Sequence, residues 1–223
     1  MKKTRVGVLI SGRGSNLQAL IEACKAPGYP AEIVLVVSNV PRAQGLAHAD
    51  AASIPTRTVN HKDFASRDAF DAALNETLEE AKVALLCNAG FMRLHTERFV
   101  RHWWNRHLNI HPSLLPAFPG LNTHARVLEA GAKISGCTVH FVRPEMDAGP
   151  IVAQAAVPVL AADTEESLAG RVLAAEHRLY PHALRLVASG AVGVEGESVA
   201  SSTRVKEQRP KTALFSPPLD EGL

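Results

Sequence analysis

The chain has 223 residues, 46% of them hydrophobic and 21% charged, a length and apolar share that suit one α/β domain with a sizeable core. Its 24 basic residues against 22 acidic ones leave a formal net charge of +2, too small to imply nucleic acid or an anionic membrane as the main partner. A local patch that binds one phosphate is not excluded.

Thr4 to Ile10 is a β-branched apolar run that reads as a strand covered on both faces, too short for a signal h-region or a membrane span. It breaks at Ser11-Gly12-Arg13-Gly14-Ser15-Asn16, after which Leu17, Leu20, Ile21 and Cys24 recur at helical spacing. Strand, glycine-rich turn and helix open a nucleotide-binding unit whose helix N-terminus offers free N–H groups to an anion. Glu32 to Ser38 is the second strand, Pro41 to Ala52 a short helix and Ile54 to Val59 a weak third strand. Ser66 caps a helix from Arg67 to Lys82, and Val83 to Cys87 is the next buried strand. Thr96 caps a short helix ending near Trp103-Trp104, and Leu108 to Ile110 continues the sheet.

Ser113 to Thr123 is a long proline-rich loop, and loops of that length in a compact domain are often functional. Thr123 caps a helix to Ala130. Gly136 to Val142 and Ile151 to Leu160 are strands, and Asp163 or Thr164 caps a long helix through Leu186 and Val187. Val192 and Val194 read as a minor edge strand, and 210–223 as a poorly ordered tail. Strands alternating with helices imply a doubly wound, mostly parallel sheet with helices on both faces and a Rossmann-like N-terminal half. In such sheets ligands sit at the carboxyl ends of the strands, where the loops at 11–16, 88–94, 109–122 and 143–150 fall. The three cysteines (24, 87 and 137) form no CxxC pair and read as reduced thiols of a cytoplasmic protein.

Asn109 and His111 lie two residues apart on a strand, so their side chains share one face, and Pro112 keeps His111 extended. By spacing alone His111 reads first as a structural histidine, Asp147 as a turn residue and Glu176 as a solvated helix charge. The Gly12–Asn16 turn reads equally as a capped turn or a phosphate loop. No metal site is expected among His107, His111, His124 and His140. His140 reads as a hydrogen-bonded sheet residue, and His102 and His107 as surface positions.

Together, the segments VLISGRGSNLQAL, SRDAFD, NAGFMR, LNIHPSLLP, PGLNTH, GCTVHFV, MDAGPIVAQ and AAEHRLYP resemble the folate-dependent phosphoribosylglycinamide formyltransferases, from residue 5 to about 190. The resemblance implies one formyltransferase domain at 1–190, with a ribonucleotide-binding half to about 105 and a catalytic and folate half from 106, followed by a minor strand and tail at 191–223. It implies Asn109, His111 and Asp147 as catalytic residues, and Gly14, Ser15, Asn16 and Glu176 as ribonucleotide contacts. The folate would be held by Arg67, Phe91, Met92, Arg93, Leu94, Asn109, Arg143, Pro144, Glu145, Met146 and Asp147. The implied co-substrate is 10-formyltetrahydrofolate, the partners are small molecules only, no metal is required, and the protein is a monomer or homodimer. The rivals are a 10-formyltetrahydrofolate hydrolase, another formyltetrahydrofolate-dependent transferase and a non-catalytic nucleotide-binding module. Three positions depart from the common family pattern: Arg13 for a smaller polar residue, Ala117 for lysine and Asn122 for histidine.

Overall fold

The computed structural model describes residues 2–201 and Ser216. A seven-stranded sheet runs in the order β3-β2-β1-β4-β5-β6-β7. Its strands are β1 (Thr4–Ile10), β2 (Ala31–Ser38), β3 (Thr56–Thr58), β4 (Leu85–Asn88), β5 (His107–His111), β6 (Ile134–Phe141) and β7 (Ile151–Pro158). The pairings from β3 through β5 are parallel, whereas β6 is antiparallel to both of its neighbours. The mostly parallel sheet expected from the alternation is therefore present, with one reversed strand inside it. That reversal lets β6 and β7 connect through a tight loop, 142–150, instead of a crossover helix.

Helices α1 (Ser15–Lys25), α5 (Thr123–Glu129) and α6 (Glu165–Ala188) pack on one face, through Leu17, Leu20, Val127, Leu168, Val172 and Leu184. On the other face lie α3 (Arg67–Glu80) and α4 (Glu97–His102), through Phe70, Leu74, Leu78 and Phe99. α2 (Leu46–Ala51) is shorter than the 41–52 helix read from composition. The central strands alternate their side chains between these two cores, which is why β1 is apolar almost throughout.

Tyr180 of α6 is fully buried and donates its hydroxyl to Asn88 O at 3.0 Å and Leu108 O at 3.3 Å. It ties the longest helix to β4 and β5 just below their carboxyl ends. Pro181 follows it inside α6, and its carbonyl accepts from the Tyr29 hydroxyl at 2.7 Å.

The strand expected at Val192 and Val194 forms as β8 (Val192–Glu195), but it is not an edge of the main sheet. It pairs with β9 (Ser198–Ser201) in a hairpin of its own. The expected poorly ordered tail, 210–223, lies outside the described residues apart from Ser216.

Candidate active site

The loops after β4, β5 and β6, with Asn16 in the first turn of α1, border one cleft of about 680 Å³. Asn109 and His111 both line it, as their alternate positions on β5 require. β5 pairs with β6 so that Asn109 stands opposite His140, and the Asn109 Nδ2 donates to His140 Nε2 at 3.2 Å. His140 Nδ1 faces Phe141 O at 3.0 Å and must donate to it, which leaves Nε2 bare. Burial holds this imidazole below its ordinary range, opposed by the Phe141 carbonyl and Asp147. A neutral His140 therefore fixes the Asn109 amide and leaves a second amide N–H available to a ligand.

Asp147 is carried on the β6–β7 loop with φ 56°, a left-handed conformation that aspartate tolerates better than most residues. Its Oδ2 lies 3.4 Å from His111 Nδ1 and accepts from Gly120 N at 2.8 Å, while its Oδ1 lies 3.7 Å from His140 Nε2. His111 Nε2 donates to Phe118 O at 3.0 Å. Both ring nitrogens of His111 thus face oxygen atoms. His140, read from the sequence as a sheet residue, is in the centre of the constellation; its i, i+31 pairing with Asn109 follows from strand register and is invisible in a linear pattern.

The long loop is fixed from below. Thr138 Oγ1 donates to Ser113 O at 2.7 Å and accepts from Leu115 N at 3.0 Å and Gln154 Nε2 at 3.0 Å. Ser113 Oγ donates to Ala117 O at 2.6 Å. These bonds bring Phe118 O and Gly120 N to His111 and Asp147. Of the three departures from the family pattern, Arg13 and Ala117 are exposed, and Asn122 occupies the N-cap of α5 with φ 54° and no side-chain cap bond. The N-cap read at Thr123 is thus one residue earlier.

The glycine-rich turn has no side-chain cap either: Gly14, at φ 74°, is the N-cap of α1. The first-turn N–H groups of an uncapped helix need partners from elsewhere. A Cβ on Gly14 would overlap the Gly45 Cα, and Gly45 N donates to Gly12 O at 2.9 Å. Glycine is needed at 14 for close backbone packing as much as for φ, and Gly45 is a partner the sequence did not reveal. Asn16 is buried, lines the cleft and donates from Nδ2 to Glu176 Oε2 at 2.7 Å. Glu176 is buried, not solvated; burial pushes its carboxyl up and the Asn16 bond offsets this in part.

The folate candidates divide. Phe91, Met92, Arg93, Leu94, Pro144 and Met146 line the cleft, and Met92, Leu94 and Met146 are exposed apolar side chains there, at 68%, 58% and 53%. Arg143 borders the cleft, but its guanidinium is bound to Asn105 and Glu197. Glu145 is exposed, and neither it, Arg67, Gly14 nor Ser15 is among the cleft-lining residues. Arg67 is an exposed first-turn residue of α3.

His107 corrects the surface reading: it is 1% exposed, donates from Nε2 to Asn88 Oδ1 at 2.9 Å, and burial holds it well below the ordinary imidazole range. It belongs to β5, at the same alternation as Asn109 and His111, and a strand inside a sheet covered on both faces has no surface side. His124, half-buried beside Glu165, also lines the cleft, a place its sequence neighbours do not indicate. Among the described residues no group of three or more His, Cys, Asp or Glu is placed to hold a metal ion, and no helix is long and apolar enough to cross a membrane.

The family model described as formyl transferase matches residues 4–184. The chain is 57% identical over 192 residues to the trifunctional purine biosynthetic protein adenosine-3 of Gallus gallus, covering 86% of this chain but 19% of that protein. It thus spans about a fifth of the length of the trifunctional relatives it matches. It is 45% identical to phosphoribosylglycinamide formyltransferase of Escherichia coli (strain K12), covering 82% of this chain and 86% of the relative. The solved structure of glycinamide ribonucleotide transformylase 1 from Symbiobacterium toebii superposes with a TM-score of 0.87 at 49% identity, over 89% of this chain and 94% of that one.

Proposed function

The chain belongs to the formyl transferase family, and from that premise we propose that it transfers the formyl group of 10-formyltetrahydrofolate to the amine of glycinamide ribonucleotide, a step of purine biosynthesis. Relatives bearing that activity in their names, similar over most of both chains, support the acceptor. The observation that carries the chemistry is the Asp147 carboxylate set between His111 and His140, beside the Asn109 amide, in one cleft.

The acceptor amine attacks the formyl carbon and gives a tetrahedral intermediate with negative charge on its oxygen. The second N–H of Asn109 and an N–H of His111 stabilise that oxygen, as donors aimed at developing charge do. In the free site both His111 nitrogens hold protein oxygens, so its donation involves exchanging one of them. As the bond to the folate nitrogen breaks, that nitrogen gains a proton and the attacking nitrogen loses one; His111 is the general acid that mediates the transfer, with no net proton change. The uncapped start of α1, with Gly14, Ser15 and Asn16, holds the ribonucleotide phosphate through backbone N–H groups. Glu176, held by Asn16, contacts the ribose or glycinamide part. Phe91 to Leu94, Pro144 and Met146 supply the apolar walls for the folate, and no step calls on a metal.

The test is to follow tetrahydrofolate release with 10-formyltetrahydrofolate, with and without glycinamide ribonucleotide. Release that depends on the ribonucleotide is expected. Equal release without it would instead make the protein a hydrolase, and no release with no folate binding would leave a nucleotide-binding module.

A further inference from the structure

We propose that Arg143 is a positioning residue, not a ligand contact, and that the C-terminal hairpin acts through it to hold the loop that carries Asp147. The consequence for catalysis rests on the formyl-folate reading above; the mechanical coupling does not.

The Arg143 side chain is 3% exposed. Nε donates to Glu197 Oε2 at 2.8 Å, Nη2 to Asn105 Oδ1 at 2.8 Å and Nη1 to Val142 O at 3.1 Å. The guanidinium carbon lies 3.9 Å from the centroid of the Trp104 ring. Every guanidinium nitrogen is therefore engaged with a protein oxygen, and the plane is stacked on an indole, the use for which arginine's rigid fork is suited. One N–H remains on each Nη, but the side chain is buried under Trp104, so a carboxylate on a folate would first have to uncover it.

The partners come from three separate parts of the chain. Trp104 and Asn105 form the turn between α4 and β5, Asn105 with φ 58°. Arg143 is the second residue of the β6–β7 loop, four residues before Asp147. Glu197 lies in the turn between β8 and β9, 54 residues further on. The other foot of the loop is closed by backbone: Phe141 N donates to Pro150 O at 2.9 Å, and Gly149 packs against Phe141 and the Arg143 stem. Between two fixed feet, the exposed residues 144–146 and Asp147 have their position set from outside the cleft. The hairpin, read from the sequence as a minor strand before a tail, is on this account part of the scaffold of the site.

An exposed carboxylate contributes little to an ion pair, and Glu197 is 64% exposed. The effect of Glu197→Gln on activity is accordingly smaller than that of Arg143→Met. We expect Arg143→Met to lower kcat by about tenfold or more, and Glu197→Gln by about threefold, because small misplacements of catalytic groups are costly. In both, KM for the ribonucleotide stays within about twofold of the wild type, since Asn16 and Glu176 lie on other elements. The double variant should be no worse than Arg143→Met alone, the signature of one shared path.

Two readouts separate positioning from contact and from bulk stability. Folic acid and pteroic acid, which lacks the glutamate, are titrated against wild type and Arg143→Met. A positioning residue weakens both ligands by the same factor; loss confined to folic acid means that Arg143 touches the glutamate and overturns the proposal. Backbone amide exchange of Arg143 and of residues 145–148 is measured without ligand. Faster exchange there in Glu197→Gln, with Phe91 to Leu94 unchanged, is expected, and equal exchange overturns the coupling whatever the protein's activity. If the wild type binds neither folic acid nor pteroic acid, the formyl-folate reading fails while the exchange result still stands on its own.

Discussion

Gly149→Ala is the sharpest single-atom test of the site's geometry. Gly149 lies two residues after Asp147, and a Cβ there would overlap the carbonyl oxygen of Phe141, with Phe141 C at 2.9 Å and Arg143 Cγ at 3.1 Å. Backbone cannot be compressed to that degree, so the feet of the loop have to part by roughly 1 Å. The same Phe141 oxygen accepts from His140 Nδ1 at 3.0 Å, so moving it releases the histidine that orients Asn109. Asp147 shifts with its own foot. Two of the catalytic groups are thereby misplaced by about the distance at which a catalytic rate falls on the order of 10²-fold, and overpacking adds roughly 1–3 kcal/mol of destabilisation. The assay is kcat for tetrahydrofolate release at saturating ribonucleotide, with thermal denaturation run on the same sample. Gly170→Ala is the control: it lies in α6 with nothing within 4 Å of its would-be Cβ, and alanine there should stabilise by about 0.5–1 kcal/mol with kcat unchanged. A Gly149→Ala protein with near-wild-type kcat would refute the claim that the loop's foot positions the site.

His111→Ala and Asp147→Asn should each lower kcat by roughly 10²-fold or more while the protein stays folded, and a near-normal kcat in either removes that residue from the mechanism. Tyr180→Phe removes a buried donor from Asn88 O and Leu108 O and should cost about 1–3 kcal/mol, read as a lower Tm with little change in KM. Glu176→Gln tests the buried carboxyl by its pH dependence. Because burial raises the pKa of Glu176, the folded protein binds a proton that the unfolded chain has already released. Stability from this group is therefore present below the ordinary carboxylate range and declines as pH rises towards the raised value. The wild type should lose more Tm than Glu176→Gln between about pH 4 and pH 7, whereas parallel curves would contradict the raised value. The same substitution should raise KM for the ribonucleotide.

The sequence by itself determined the order of strands and helices, because a period of two or 3.6 in apolar residues records which faces are buried. It also determined that Asn109 and His111 share a face, since that follows from strand geometry with no tertiary information. The segments that identify the family lie in the same loops. What only the tertiary structure decided is which distant residues meet. His140 reaches Asn109 through an antiparallel register, and nothing local in either segment encodes that pairing. His107 is buried because its strand is interior, a fact about the neighbours of β5 and not about the polar residues beside it in sequence. Glu176 is a helix charge by local pattern and a buried partner of Asn16 only because α6 packs along α1. Arg143 shows the same limit most fully: the family resemblance marks it as a folate contact, and its place is set by Trp104 and Asn105 from one other turn and Glu197 from a second. Local pattern reports burial and backbone preference; the identity of a partner depends on chain paths that close over dozens of residues.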